Sequence, residues 1–312
     1  MTPTAAIPLF IASVALMLVA SAVFAGRLDH IGLRLGMPET LLGLLTALAA
    51  DAPEISSAIT ALVSHEKSVA VGVVVGSNAF NLAAMLGVSA VVASRVRARH
   101  EALELEAFAG LWLVGVALAV VAGGIGGRVG FALVAVVVLP YVFLLGRGEA
   151  PEHTREQNID SHREIAQLVV VLLVALSLIV GGSIGAVRSA TDLAQAWSVP
   201  KELVGVVVLA ILTSLPNAWT GVRFGLQQRG SALMSETLNS NSINIVAGLA
   251  LPAALGSLGA FSGLDVFDLA WLVGMTAAAV LLFGRRGGAG RTAGVFLIGL
   301  YAVFLAVQLV VR

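Results

Sequence analysis

Ala49-Ala50-Asp51-Ala52-Pro53-Glu54 and its companion Gly76-Ser77-Asn78-Ala79-Phe80-Asn81 return 163 positions later (Pro53 to Pro216, Ser77 to Ser240). The second copy reads Leu212-Thr213-Ser214-Leu215-Pro216-Asn217 and Asn239-Ser240-Asn241-Ser242-Ile243-Asn244. Between Pro53 and Leu86 the copies align without a gap. Each lies in apolar sequence of spanning length, where a proline or polar side chain is costly unless it faces protein or water. One proline in such a helix is an ordinary kink, and one serine or asparagine an ordinary bond to a neighbouring helix. A polar break repeated at fixed spacing, with its residue types largely kept, implies two copies of an interrupted helix pair with an ion site between them.

Composition works outward from there. The 312 residues are 58% hydrophobic and 12% charged, with a mean hydropathy of +0.98, whereas soluble domains carry about 25% charged residues. One span takes about 20 apolar residues. Apolar runs of that order fall near 7–26, 40–63, 69–94, 106–123, 129–146, 165–187, 201–226, 232–256, 267–284 and 293–311. The expected fold is an all-α integral membrane protein of ten transmembrane helices, built as two inverted five-helix repeats with broken helices at the midplane. Residues 1–146 form the first repeat, 147–164 a hydrophilic cytoplasmic linker, and 165–312 the second repeat, inverted because five spans per copy is an odd number. Thirteen Lys and Arg fall in loops 1–2, 3–4, 5–6, 7–8 and 9–10, against five in the tails and the other loops. The first group is therefore expected in the cytoplasm and both termini outside, in a plasma or bacterial inner membrane.

Zero formal net charge argues against a nucleic-acid partner. The absence of cysteine excludes disulfides and thiolate metal sites. Five histidines occur without a two-His ligand spacing, so zinc chemistry is not expected. The expected partners are the lipid bilayer and small inorganic cations, with no cofactor. No nucleotide-binding motif is present, so ion gradients must drive any transport.

Hard cations take carboxylate, carbonyl and amide oxygens. Pro53 and Pro216 each free a carbonyl one turn back, at Ala49 and Leu212, and the same kink can expose Ala50 and Thr213. Ser77 and Asn81 are four apart and share a helical face, as do Ser240 and Asn244. Among the carboxylates, Asp51 and Glu54 fall inside spans, three apart, and Glu236 lies about five residues into its span. An acid placed in a membrane is a functional residue by default. The expected principal ligand is Glu54, with Asp51 as second carboxylate. Ser77, Asn81, Ser240 and Asn244 are expected to supply neutral oxygens, and Asn217 an oxygen without charge.

At these residues the chain resembles the calcium/cation antiporter superfamily, which includes the sodium/calcium exchangers and whose paired repeats read approximately G-T-S-x-P-E and G-S-N-x-F-N. Pro53, Glu54, Gly76, Ser77, Asn78, Phe80 and Asn81 match in the first copy. Thr213, Ser214, Pro216, Ser240, Asn241 and Asn244 match in the second. The resemblance implies alternating access and exchange of Ca2+ against Na+, or against H+ or another monovalent cation. It adds Thr213 and Ser214 to the ion ligands, beside Glu54, Ser77, Asn81 and Ser240. Ala50 and Asp51 depart from the usual Thr and Ser, and Asn217 stands where the family usually carries an acid. Asp51 restores the lost charge, giving a formal −2 that matches a divalent ion. With the sidedness above, Asp51 and the accessory Glu236 lie on the cytoplasmic side of Glu54.

Three alternatives are carried. One is a monovalent cation/proton antiporter on the same fold, since two acids this close in a dry span can share a proton. Another is a non-transporting ion-binding membrane protein. An intramembrane aspartyl protease is disfavoured because Asp51 and Glu54 share one helix and cannot face each other as a dyad.

Overall fold

The computed structural model describes residues 1–34, 39–97, 100–146, 162–256, 261–285 and 287–311. The linker expected at 147–164 lies outside these residues as far as 161. The first half runs α1 (Pro3–Arg34), α2 (Glu39–Ala50), α3 (Ala52–Val63), α4 (Lys67–Asn81), α5 (Ser89–Val92), α6 (His100–Val121) and α7 (Gly127–Gly146). The second runs α8 (His162–Ala196), α9 (Lys201–Leu203), α10 (Ala210–Thr213), α11 (Leu215–Leu226), α12 (Gly230–Ile245), α13 (Leu251–Ala254), α14 (Gly263–Phe283) and α15 (Arg291–Val311). Among the described residues, three wide, π-helical stretches join neighbours without interruption: Leu82–Val88, Val204–Leu209 and Val246–Ala250. Such wide turns concentrate at functional sites.

Among the described residues, seven helices are long and apolar enough to cross a membrane, and α9–α11, bent by 48° after Thr213, makes an eighth. The stretches near 40–63 and 232–256 do not pass that test. The first is cut at Asp51 into two helices of 12 residues each. The second is rich in Ser, Thr and Asn from Ser231 to Asn244. Both carry the repeated motif. Lipid demands apolarity only of the faces it touches, and central helices are relieved of that demand by their neighbours. The span Lys67–Val92, which carries the first G-S-N-A-F-N, is 94% buried inside the protein, whereas Gly127–Leu144 is only 17% buried.

The 163-residue relation persists in the backbone. α3 and α11 have the same length and the same offset. Each is followed, two residues past its end, by a left-handed residue, His65 (φ 62°) and Gln228 (φ 57°). The closing turns make matched bonds, Glu66 N to Ala61 O and Arg229 N to Phe224 O. Helix α4 crosses the Val204–Leu209 stretch at very close range. A Cβ on Gly76 would come within 2.4 Å of Val206 O, and one on Gly205 within 2.5 Å of Val69 O.

Contacts between connections fall into two sets. At one end, Lys201 pairs with Glu66 at 2.5 Å and the N-terminal amine with Asp192 at 3.0 Å. At the other, β1 (Arg95–Val96) pairs antiparallel with β2 (Ala289–Gly290), and Gly230 abuts the Arg97 backbone.

Candidate functional site

Each break is a helix that stops and restarts. Pro53 and Pro216 occupy the first turns of α3 and α11, where a missing N–H costs little. The backbone ladder continues around them: Asp51 N bonds Ala47 O at 2.9 Å, and Ile55 N bonds Asp51 O at 3.0 Å. The carbonyl that Pro53 frees at Ala49 is not left for an ion. It accepts the Ser21 hydroxyl of α1 at 3.2 Å. The residues at the two restarts are Asp51 and Ser214, types that normally cap their own helix. Neither does so here. Both side chains are turned across the break toward the opposite half of the chain.

There they meet. Asp51 Oδ1 accepts from Asn217 Nδ2 at 2.7 Å and from Ser240 Oγ at 2.6 Å. Glu54 Oε1 accepts from Ser214 Oγ, and from Asn217 Nδ2 at 3.3 Å, while Glu54 Oε2 accepts from Asn244 Nδ2. The Asn217 amide nitrogen therefore lies between the two carboxylates and also donates to Ser240 Oγ at 3.1 Å. Asn81 Nδ2 reaches Ser240 Oγ at 3.1 Å, and Ser77 lies beside the Glu54 carboxylate. Asp51, Glu54, Ser77, Asn81, Thr213, Ser214, Asn217, Ser240 and Asn244 are all at most 1% exposed. Burying two carboxylates is expensive unless donors or cations face them. Apart from Ser77, the donors to Asp51 and Glu54 come from the second half.

The asparagines that hold α4 against α12 bond reciprocally. Asn78 Nδ2 donates to Asn241 O, and Asn241 Nδ2 to Asn78 O, both at 3.1 Å. Asn81 Nδ2 donates to Asn241 Oδ1, and Asn244 Nδ2 to Asn78 Oδ1, both at 3.2 Å. Each pair of bonds maps onto itself when the two copies are exchanged, which is the geometry of a local two-fold axis. Asn78 and Asn241 were legible in the repeated motif but did not stand out as functional. Their role appears only when the two helices cross.

Three oxygens in this cluster are buried and have no partner among the described residues: Asp51 Oδ2, Asn81 Oδ1 and Asn217 Oδ1. With the remaining carboxylate and hydroxyl oxygens they form a donor set of the kind hard cations take, about six to eight oxygens for Ca2+. Other expected ligands are placed less directly. The Thr213 hydroxyl donates back into its own helix, to Leu209 O at 2.9 Å and Ala210 O at 3.3 Å. Ala50 is half-buried and ends α2, so only its carbonyl can serve. Glu236 is half-buried, one turn before Ser240 and within electrostatic reach of Asp51.

The acids within spans are more numerous than the three expected. Asp268 is 1% exposed and accepts from Gln308 Nε2 at 2.5 Å. Glu106 accepts from Ser235 Oγ at 2.5 Å and keeps its Oε2 buried, with no partner among the described residues. Both sit near helix ends, where sequence alone places an acid at the interface.

A sequence model of the family described as sodium/calcium exchanger protein matches residues 5–146 and 167–310. Inner membrane protein YrbG of Escherichia coli is 27% identical over 284 residues, covering 87% of this chain and 86% of that one. Sodium/potassium/calcium exchanger 4 of Homo sapiens is 26% identical over 131 residues, 39% of this chain and 21% of that one. Among solved structures, the sodium-calcium exchanger NCX_Mj superposes with a TM-score of 0.68 at 20% identity, over 98% of this chain and 99% of that one. The H+/Ca2+ exchanger CAX superposes with a TM-score of 0.79 at 15% identity, over 96% and 82%. These two likenesses are of fold.

Proposed function

Because the chain belongs to the sodium/calcium exchanger protein family, a family of membrane exchangers and not of enzymes, we propose that it is a secondary antiporter exchanging Ca2+ against Na+ by alternating access. The observation that carries this reading is the pair of buried carboxylates, Asp51 and Glu54, enclosed by Ser214, Asn217, Ser240 and Asn244 from the other half. Their formal −2 neutralises one divalent ion or two monovalent ions, so the same site can serve either in turn. The ligand set is Glu54, Asp51, Ser77, Asn81, Thr213, Ser214, Asn217, Ser240 and Asn244 with the Ala50 carbonyl, and Glu236 as an accessory acid.

The amides suit this alternation. Asn217 and Asn244 direct their nitrogens at the carboxylates, and half a turn about the Cβ–Cγ bond presents an oxygen to a cation instead. In the arrangement seen, the two amide nitrogens compensate the carboxylates, so the site avoids the cost of bare buried carboxylates between ions. Exchange follows if the change of facing is favourable only with the carboxylates compensated.

The architecture proposed with it is ten spans, in two inverted repeats at 1–146 and 165–312 joined by a cytoplasmic 147–164 linker. Supporting the inversion are the reciprocal Asn78–Asn241 bonds. Supporting the sidedness is the grouping of connections. Loops 3–4, 7–8 and 9–10, assigned to the basic side, touch one another, and the N-terminus and loops 2–3 and 6–7 do likewise. The basic side is read as cytoplasmic and both termini as outside, in a plasma or inner membrane.

The test is flux in proteoliposomes with calcium, sodium, potassium and proton gradients imposed one at a time. Sodium-driven calcium uptake, abolished by Glu54→Gln, is the expected result. Calcium uptake driven only by a pH gradient would replace sodium with protons. Absence of any cation flux from well-folded protein would refute the antiporter reading.

A further inference from the structure

Helix α12 carries two stripes of oxygen-bearing side chains. Glu236, Ser240 and Asn244, four apart, run along the stripe that serves the Asp51–Glu54 site. Ser235 and Asn239, also four apart, belong to a second stripe that meets α6 and α7. A hydrogen-bond chain runs there in one direction. Tyr141 Oη donates to Asn239 Oδ1 at 2.7 Å, Asn239 Nδ2 to Ser235 Oγ at 3.3 Å, and Ser235 Oγ to Glu106 Oε1 at 2.5 Å. The phenol stands at one end and the carboxylate at the other, so successive donation along the chain can stabilise an ionised Glu106. Among the described residues, its other oxygen, Oε2, is buried and has no hydrogen-bond donor. An ionised carboxylate in a membrane span with one bare oxygen needs positive charge. A proton on Oε2 would itself be a buried donor without an acceptor among the described residues, whereas a cation there would be met directly by the carboxylate oxygen.

We propose that Glu106, Ser235, Asn239 and Tyr141 form a second cation site, selective for a monovalent metal ion of the sodium class. The charge decides the class. One carboxylate balances one monovalent ion, whereas a divalent ion would leave a net positive charge in the span. The available ligands are Glu106 Oε2, Ser235 Oγ and Asn239 Oδ1, all oxygens as hard cations require. Glu106, Ser235 and Asn239 are half-buried, which gives an ion access. The site lies toward the starts of α6 and α12, ends brought together where Gly230 meets Arg97. It shares no ligand with the Asp51–Glu54 site, and α12 stands between the two.

The test is equilibrium binding of radiolabelled sodium to the purified full-length protein, with choline replacing sodium and no calcium present. Glu106→Gln is expected to bind one sodium fewer per chain while binding of radiolabelled calcium is unchanged. Glu54→Gln is expected to retain the Glu106 class of sodium, which separates failure of this site from failure of the antiporter reading. Tyr141→Phe preserves shape but removes the end of the donor chain, and is expected to weaken the same sodium class about tenfold. Unchanged sodium stoichiometry in Glu106→Gln, or loss of calcium in its place, would overturn the proposal. If Glu106→Gln fails to fold, unchanged sodium affinity in Tyr141→Phe overturns it equally.

Discussion

Replacing Asp51 by Asn removes one formal charge from the candidate site and almost no volume. Asp51 Oδ1 and Glu54 Oε1 accept from the same Asn217 nitrogen at 2.7 and 3.3 Å, so these oxygens lie within about 6 Å of each other. A cation held between them sits roughly 4 Å from either charge. At an effective dielectric constant of 20, one unit-charge pair at 4 Å is worth about 4 kcal/mol, hence about 8 kcal/mol for a divalent ion. Asp51 is fully buried, so solvent screening does not reduce this greatly. Asp51→Asn therefore costs calcium about 4 kcal/mol more than it costs sodium, a selectivity change of about a thousandfold. The assay is uptake of radiolabelled calcium into sodium-loaded proteoliposomes, with sodium and calcium affinities measured separately by competition. The expected outcome is calcium affinity collapsing while sodium still binds. Equal losses for the two ions, or less than about a tenfold loss of calcium affinity, would refute Asp51 as the second charge of the site.

Other perturbations test the scaffold. Asn78→Ala and Asn241→Ala each remove one of the two reciprocal bonds together with the bond the side-chain oxygen accepts from Asn244 or Asn81, and each should lower stability by about 1–3 kcal/mol. The double variant should fall short of the sum, because the contact is shared. Denaturation of the single and double variants checks this, and strict additivity would mean the bonds act independently. Gly76→Ala forces a methyl against Val206 O and Ala210 Cβ, 2.4 and 2.8 Å from its ideal position. Overpacking of this kind costs about 1–3 kcal/mol, and a thermal unfolding scan should show a clear fall in the melting temperature. An unchanged melting temperature would mean that α4 and the Val204–Leu209 stretch separate easily.

The candidate site was legible along the chain for a local reason. A proline, an acid or an amide inside an apolar run is anomalous wherever it occurs, and its recurrence 163 residues later needs no coordinates to detect. Asp51, Glu54, Ser214, Asn217, Ser240 and Asn244 were all expected, and they are hydrogen-bonded to one another. Apolar runs alone do not fix the number of spans, because the helices that hold the motif are the ones lipid does not test. The broken α2–α3 and the polar α12 fall below the apolarity of a free-standing span. Glu106 and Asp268 were missed for the converse reason. Near a helix end, the same acid can reach water or be enclosed, and only the neighbouring helices decide which.

Residue order alone established a duplicated, membrane-embedded polar break with two acids in the first copy and an amide in place of an acid in the second. Those are properties of single positions and their spacing, set by the cost of polarity in lipid. Folding in three dimensions decided how the charges are compensated. Asn217 lies between the two carboxylates, Ser21 takes the carbonyl that Pro53 frees, and Asn78 and Asn241 lock the two halves by mutual bonds. Each of these depends on the direction of a side chain from one helix toward another distant in sequence, and helical periodicity assigns a face but not the partner across it.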